Sequence, residues 1–152
     1  MPLEAGAEAP RLSAPNQDGE TVELSYDGPT VVYFYPKDDT PGCTTEARQF
    51  DKELDSYRAA GVRVYGVSTD DVASHRDFAD TYDIEFDLLA DPDRDLADAF
   101  DVGSVFGGAT ARTTFVIVDG TVHAVYTDVD PDGHPRAVLA DLVDAGVVDL
   151  DA

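Results

Sequence analysis

Hydrophobic positions in this chain fall into short continuous runs, and between them apolar residues recur with helical spacing. Residues 30–35 form a run rich in β-branched and aromatic side chains, which is typical of a strand buried on both faces. Residues 62–67 and 113–118 repeat this pattern and predict two further buried strands. Asp119 and Gly120 then form a two-residue hairpin signal, so residues 121–126 are expected to pair antiparallel with the strand before them.

Longer segments have the spacing of amphipathic helices. Residues 44–60 place Ala47, Phe50, Leu54 and Tyr57 on one face, and Gly61 is expected to end this helix. Further helices are predicted over residues 70–82, 93–100 and 134–145, the first of them capped by Asp70 or Asp71. Weaker patterns predict short strands at residues 21–24 and 86–89, whereas residues 1–20 are expected to be an irregular lead-in.

The order of these elements predicts the fold class. Strand, helix, strand and helix are followed by a helix, a hairpin and a final helix. This order favours a single α/β domain over residues 1–152, with a central mixed β-sheet flanked by helices on both faces, as in thioredoxin-like folds.

Acidic residues dominate the charge. The chain has 32 Asp and Glu against 10 Lys and Arg, a net charge of −22, and the acids are spread along its whole length. Because salt screens the repulsion of such a surface, we interpret the chain as a salt-adapted protein resembling those of halophilic archaea; the alternative is an ordinary acidic protein. Nucleic acid is excluded as a partner, since phosphates require basic patches.

No apolar run is long enough to cross a bilayer, so no membrane association is expected. The first 20 residues have neither a basic start nor an apolar centre, which argues against a secretory leader. The chain has one cysteine and therefore no intramolecular disulfide. Together these features predict a cytoplasmic protein.

That lone cysteine, Cys43, is placed for chemistry. Pro36 ends the first buried run, and Pro41 and Gly42 bend the chain so that Cys43 enters the first turn of the next helix. Backbone N–H groups and the helix dipole favour negative charge there, which would make the thiol a thiolate nucleophile. The alternative is that Cys43 is a small buried core residue, which is common for free cysteine.

The spacing Pro36-x-x-x-Thr40-x-x-Cys43 resembles the active-site motif of the peroxiredoxins, and residues 33–47 resemble their bacterioferritin-comigratory (peroxiredoxin Q) branch. Two distant stretches extend the resemblance, residues 66–78 and Arg112 with the strand that follows it. The likeness covers roughly residues 3–145 and keeps its order along the chain.

The resemblance implies a thiol-dependent peroxidase that reduces hydrogen peroxide and organic hydroperoxides without a cofactor or a metal. Cys43 would be the peroxidatic cysteine, oxidised to a sulfenic acid. Thr40 would hydrogen-bond to the sulfur and the peroxide, Pro36 would shield the site from water, and Arg112 would hold the thiolate and polarise the peroxide. Glu46 matches the branch pattern as a supporting residue, an orienting partner for arginine or a first-turn acid.

One departure from the branch concerns the end of the cycle. Many members carry a resolving cysteine five residues after the peroxidatic one, and this chain has Arg48 there. The sulfenic acid must therefore be reduced by an external thiol, from either a thioredoxin-like protein or a small molecule. The resemblance implies a monomer or a weak dimer. A peroxide sensor or redox relay, which passes oxidation from Cys43 to a partner protein, remains open, whereas the lack of a C-x-x-C pair argues against a thioredoxin-like reductase.

The remaining candidates are weaker. His75 lies in a predicted helix and His134 just before one, which favours capping or surface positions over catalysis, and no metal-binding set is evident. No role can be assigned from sequence to the glycine-rich segment 103–108.

Overall fold

A computed structural model describes residues 2–24, 26, 28–104, 109–127 and 129–147. The strands are β1 (Ser13–Pro15), β2 (Thr21–Glu23), β3 (Thr30–Phe34), β4 (Arg63–Ser68), β5 (Asp87–Ala90), β6 (Thr113–Val118) and β7 (Thr121–Tyr126). The helices are α1 (Pro41–Lys52), α2 (Leu54–Ala59), α3 (Val72–Tyr82), α4 (Asp95–Ala99) and α5 (His134–Asp144).

The centre of the fold is a mixed five-stranded sheet in the order β5-β4-β3-β6-β7. β3, β4 and β5 are parallel to one another, whereas β6 pairs antiparallel with β3 and β7 antiparallel with β6. The predicted mixed sheet of a thioredoxin-like fold is therefore confirmed. Asp119 and Gly120 both have positive φ angles, of 54° and 77°, the backbone that a tight two-residue hairpin between β6 and β7 requires.

Helices cover both faces of the sheet, as predicted. The alternation of side chains along β3 sends Val31 and Tyr33 into a core shared with α1, α2, α3 and α5. Val32 and Phe34 enter the opposite core, which α4 and the N-terminal segment complete. β3 is thus buried on both faces, which explains why its sequence is apolar at every position.

The N-terminal segment departs from the prediction. An irregular lead-in was expected over residues 1–20, but residues 13–15 form β1, which pairs antiparallel with β2 in a separate two-stranded sheet. The sequence Ser-Ala-Pro has little intrinsic strand preference, so it is pairing with β2 that makes this segment a strand.

The predicted helix over residues 44–60 is two helices. α1 begins at Pro41, and Glu53, with φ −90° and ψ 2°, separates it from α2. The four residues of the predicted apolar face are all buried. A periodic apolar face cannot distinguish one helix from two that pack against the same surface, because the break leaves the face intact. Gly61 ends α2 with a φ of +76°, as predicted.

The N-terminus of α3 decides between the two predicted caps. The Asp71 side chain accepts a hydrogen bond from the Ser74 N–H at 2.9 Å, so Asp71 is the cap.

Among the described residues, no helix is long and apolar enough to cross a membrane. Residues 105–108 of the glycine-rich segment lie outside the described residues.

The packing of Tyr33 against β4 requires a glycine. A Cβ atom at Gly66 would lie 2.8 Å from the Tyr33 hydroxyl oxygen, which no real side chain tolerates. That hydroxyl is completely buried and has no hydrogen-bond partner in the described part of the chain. By contrast, the buried Tyr57 hydroxyl donates to the Pro135 carbonyl at 2.6 Å.

These two tyrosines give a matched prediction. Because an unpaired buried hydroxyl costs free energy, Tyr33→Phe should raise the free energy of unfolding by about 1 kcal/mol. Tyr57→Phe removes a satisfied donor and should lower it by about 1 to 2 kcal/mol. Denaturant unfolding in concentrated salt measures both, and equal losses in the two variants would contradict the packing described for Tyr33.

Candidate active site

Cys43 lies in the first turn of α1, where the sequence predicted it. Thr40 is the N-cap, with extended backbone, and Pro41 is the first helical residue. Its missing N–H costs nothing at this position, and its fixed φ suits the helix start. The thiol is 1% exposed and packs among core residues of the sheet face covered by α1. The sulfur thus lies at a helix N-terminus, where unsatisfied N–H groups favour an anion.

Strand pairing brings Arg112 to this cysteine across 69 residues of sequence. Arg112 immediately precedes β6, and the register pairs Thr113 with Phe34 at the end of β3. Antiparallel pairing therefore puts the start of β6 beside the loop that leads from β3 to Cys43. The Arg112 Nη2 atom donates to Cys43 Sγ at 3.4 Å.

The same guanidinium also binds Glu46. Arg112 Nη1 donates to Glu46 Oε1 at 2.6 Å, so one planar fork contacts both the sulfur and the carboxylate. Burial opposes charge on Arg112, but Glu46 and Cys43 outweigh it and raise the pKa of Arg112 above its ordinary value. The arginine side chain is 17% exposed and the Glu46 side chain 0%, so Arg112 forms the solvent-facing side of the pair.

Glu46 is an unusual buried acid. Burial raises the pKa of Glu46 to about 7, although the charge and hydrogen bond of Arg112 lower it. Its second oxygen, Oε2, is buried and has no hydrogen-bond partner among the described residues. Its carboxyl group faces Arg112, so this geometry matches the predicted orienting partner of arginine.

Gly42 makes the close approach of Arg112 possible. A Cβ atom at this position would lie 3.1 Å from Arg112 Nη2 and 3.4 Å from the Pro131 ring. Any larger residue before the cysteine would therefore press on the guanidinium. The sequence predicts only a bend at Gly42, because a contact with a residue 70 positions away has no local signal.

The other two predicted residues lie on the loop between β3 and α1. Pro36 follows β3 and is partly exposed. The Thr40 hydroxyl donates to the Lys37 carbonyl at 2.9 Å. This bond uses the one hydrogen of the hydroxyl, and its oxygen remains able to accept a hydrogen bond.

Two histidines are buried, contrary to the expectation of capping or surface positions. His75 is 0% exposed and its ring contacts Asp38 and the Leu89 carbonyl. His134 opens α5 and its Nε2 lies 2.9 Å from the Thr114 hydroxyl. Burial, reinforced by the charge of Arg112, lowers the pKa of His134 to about 4, so this ring is neutral at pH 7. The helical pattern placed both residues correctly but did not show that tertiary packing covers them.

Arg48, at the position of the missing second cysteine, lines a surface groove. Its guanidinium carbon lies 5.9 Å from the centre of the Tyr82 ring. The groove has a volume of about 500 Å³ and runs along the outer side of α1. Its lining includes Thr44, the residue directly after Cys43.

Known proteins resemble this chain in sequence and in fold. The family model described as the AhpC/TSA family matches residues 5–125. Peroxiredoxin Bcp of Escherichia coli is 37% identical over an alignment of 147 positions that covers 91% of this chain and 94% of that protein.

Two solved structures extend the comparison. Peroxidoxin BcpB of Mycobacterium tuberculosis is 33% identical with a TM-score of 0.86, covering 93% of this chain and 97% of that one. A bacterioferritin comigratory protein of Xanthomonas campestris, studied for its alkyl peroxide reduction activity, is 35% identical with a TM-score of 0.82. It covers 88% of this chain and 91% of its own.

The raised pKa of Glu46 predicts a pH dependence of stability. A carboxyl group whose pKa is about 7 when folded and 4.5 ordinarily binds its proton more tightly in the folded state. Its contribution to the free energy of unfolding is therefore complete below pH 4.5 and is lost as the pH rises to about 7. His134, with its pKa lowered from 6.5 to about 4, contributes the opposite slope between those two values.

Glu46→Gln removes the first slope and keeps the second. The difference between its free energy of unfolding and that of wild type should therefore grow in favour of the variant by on the order of 3 kcal/mol as the pH rises from 4.5 to 7. Denaturant unfolding across this pH range measures the difference. Glu53→Gln, which alters an exposed ion pair with Arg136, is the control. Parallel curves for Glu46→Gln and wild type would contradict the assignment.

Proposed function

The chain belongs to the AhpC/TSA family, and we propose that Cys43 is the nucleophile of a thiol peroxidase that reduces hydroperoxides. A relative named as a peroxiredoxin and another studied for its alkyl peroxide reduction activity support this proposal. One observation carries the assignment of the site: the Arg112 guanidinium lies 3.4 Å from a thiol held at a helix start. The sensor alternative is not favoured, because the relatives reported above are named as a peroxiredoxin and a peroxidoxin or were studied for alkyl peroxide reduction.

The proposed chemistry has two halves. The Cys43 thiolate attacks one oxygen of the hydroperoxide, the O–O bond breaks, and the other oxygen leaves as water or an alcohol after taking up a proton. Cys43 is then a sulfenic acid, oxidised by two electrons. An external thiol attacks the Cys43 sulfur, releases water and forms a mixed disulfide. A second external thiol attacks the external sulfur of this disulfide, so that Cys43 leaves as a thiolate and the two external thiols become a disulfide.

Formation of the thiolate alone cannot account for peroxidase rates. For a generic cysteine, lowering the pKa from about 8.5 to about 6 raises the thiolate fraction at pH 7 by roughly 30-fold. Intrinsic nucleophilicity falls meanwhile by on the order of 13-fold, with a Brønsted slope near 0.45. The net gain is only about 2-fold, so the larger share must come from groups that stabilise the transition state as the O–O bond breaks.

Arg112 is the group best placed for this role. It is cationic, contacts the sulfur, and is the partly exposed member of its pair with Glu46, so a peroxide entering from solvent would meet it beside Cys43. Backbone amides at the start of α1 would add donors. Thr40 would contribute as an acceptor for a peroxide O–H, or as a donor once it releases the Lys37 carbonyl. Pro36 would shield the site from water.

The electrons must come from outside the chain. Cys43 is the only cysteine, and Arg48 occupies the position of a resolving thiol. We assign the reduction to a thioredoxin-like protein or a small thiol, acting on a cytoplasmic enzyme that is a monomer or a weak dimer. The net charge of −22 supports operation in concentrated salt.

Catalytic turnover tests the function. Wild type with hydrogen peroxide and a series of thiol donors in concentrated salt should consume many equivalents of peroxide, and Cys43→Ser should consume none. Peroxide loss is followed directly. Residual turnover in Cys43→Ser would overturn the assignment, and a wild-type reaction that stops after one equivalent would replace the peroxidase with a sensor.

The role of Arg112 is tested by separating rate from thiol ionisation. Arg112→Ala should lower the second-order rate constant with peroxide by about 10²-fold or more, far beyond what the change in thiol pKa explains. Stopped-flow oxidation gives the rate constant, and alkylation against pH gives the thiol pKa. Arg136→Ala, which removes a surface arginine paired with Glu53, is the control. A rate loss fully explained by the thiol pKa would exclude transition-state stabilisation by Arg112.

A further inference from the structure

A buried polar cluster lies behind the loop that precedes Cys43. Asp38 is the middle residue of this loop, two positions from both Pro36 and Thr40, and its side chain is 3% exposed. The His75 ring, from the first turn of α3, is 0% exposed. Its Nδ1 atom lies 2.6 Å from Asp38 Oδ2.

Hydrogen-bond geometry fixes where the protons are. His75 Nε2 lies 3.0 Å from the Leu89 carbonyl, which only accepts, so Nε2 carries a proton. Nδ1 faces a carboxylate, so a second proton lies in the 2.6 Å contact with Asp38. Asp38 and His75 therefore form a buried hydrogen-bonded pair, and replacing either residue leaves the other without this partner.

Neighbouring hydroxyl groups donate hydrogen bonds to both carboxyl oxygens of Asp38. The Tyr35 hydroxyl donates to Asp38 Oδ1 at 2.6 Å and the Ser74 hydroxyl to Oδ2 at 2.8 Å. The Asp38 backbone N–H donates to Asp70 Oδ2 at 2.7 Å, and Ser68 also donates to that oxygen. A cation bound by both Asp38 and His75 would hold their ligand atoms about 3 Å apart or more, so the 2.6 Å contact is a hydrogen bond and not a metal site.

Hydrogen bonds attach the loop to the first turn and to the last residue of α3. Asp38 is held by Ser74 and His75 in the first turn of α3. The next loop residue, Asp39, accepts a hydrogen bond from the hydroxyl of Tyr82, the last residue of α3, at 2.7 Å. By contrast, the start of α1 has no side-chain cap, and the Thr40 hydroxyl donates to the Lys37 carbonyl within the loop. The position of Thr40 and Cys43 thus depends on what holds the loop.

We propose that Asp38 and His75 are positioning residues of the peroxidase reaction, which fix the segment carrying Pro36, Thr40 and Cys43 against the sheet opposite Arg112. This inference rests on the proposed function. Neither residue touches the reacting atoms; the pair acts by holding the sulfur and the peroxide-binding groups in register. Because misplacement of reacting groups by about 1 Å can cost about 10²-fold in rate, loss of the pair should slow peroxide reduction without removing any catalytic group.

The test compares two reactions of the same thiol. Asp38→Asn and His75→Gln should each lower the second-order rate constant with hydrogen peroxide by about 10- to 10²-fold. The same variants should speed alkylation of Cys43 by iodoacetamide, because a released loop exposes a thiol that is now 1% exposed. The double variant should lose no more than the worse single variant, since the pair acts as a unit.

A stability control separates positioning from general destabilisation. Tyr57→Phe removes a buried hydrogen bond to Pro135, neither of which is a hydrogen-bond partner of Asp38, and should leave both rates near wild type. If Asp38→Asn and His75→Gln do not fold, Tyr35→Phe and Ser74→Ala each remove one neutral donor to Asp38 and should show a smaller change in the same directions.

Several outcomes would overturn the proposal: unchanged peroxide rates in the foldable variants, alkylation that falls in proportion to the peroxide rate, or an equal effect in Tyr57→Phe. A failure of the proposed peroxidase function would be seen separately, as peroxide turnover that persists in Cys43→Ser.

Discussion

The interaction on which the site depends is the contact of one guanidinium with two acids. Arg112 binds the Cys43 sulfur through one nitrogen and the Glu46 carboxyl group through another, and both partners are buried. One cation therefore serves two acidic side chains in a site from which water is largely excluded. Burial raises the pKa of Glu46 to about 7, and the charge and hydrogen bond of Arg112 lower it.

The sheet makes that contact possible. The end of β3 leads into the loop before Cys43. Because β6 runs antiparallel to β3, the start of β6, and with it Arg112, lies at the same end of the sheet. The hairpin to β7 and the helices on both faces hold this register, and Gly42 leaves room for the guanidinium. Function therefore depends on long-range strand pairing, although the nucleophile itself lies in a local motif.

Among the described residues, acidic side chains are buried only where a hydrogen-bond donor faces them. Of the 32 acidic residues, those buried among the described residues are Asp38, Glu46 and Asp91. Asp38 pairs with His75, Glu46 with Arg112, and the Asp91 carboxylate accepts from the backbone N–H groups of Leu96 and Ala97 at the start of α4. Each buried carboxyl group has at least one compensating donor, as the cost of burying a charge requires. Two of the three lie at the loop and the helix that present Cys43.

The sequence by itself determined the strands of the central sheet, the apolar faces of the helices and the place of Cys43 at a helix start. These features follow from local periodicity and from proline and glycine, whose effects act within a few residues. Only the tertiary structure decided that Arg112 reaches the sulfur from 69 residues away, that Glu46 and His75 are fully buried, and that residues 13–15 form a strand. It also divided the predicted helix over residues 44–60 in two. These outcomes depend on register and packing between distant segments, which no local pattern of hydrophobic and polar residues encodes.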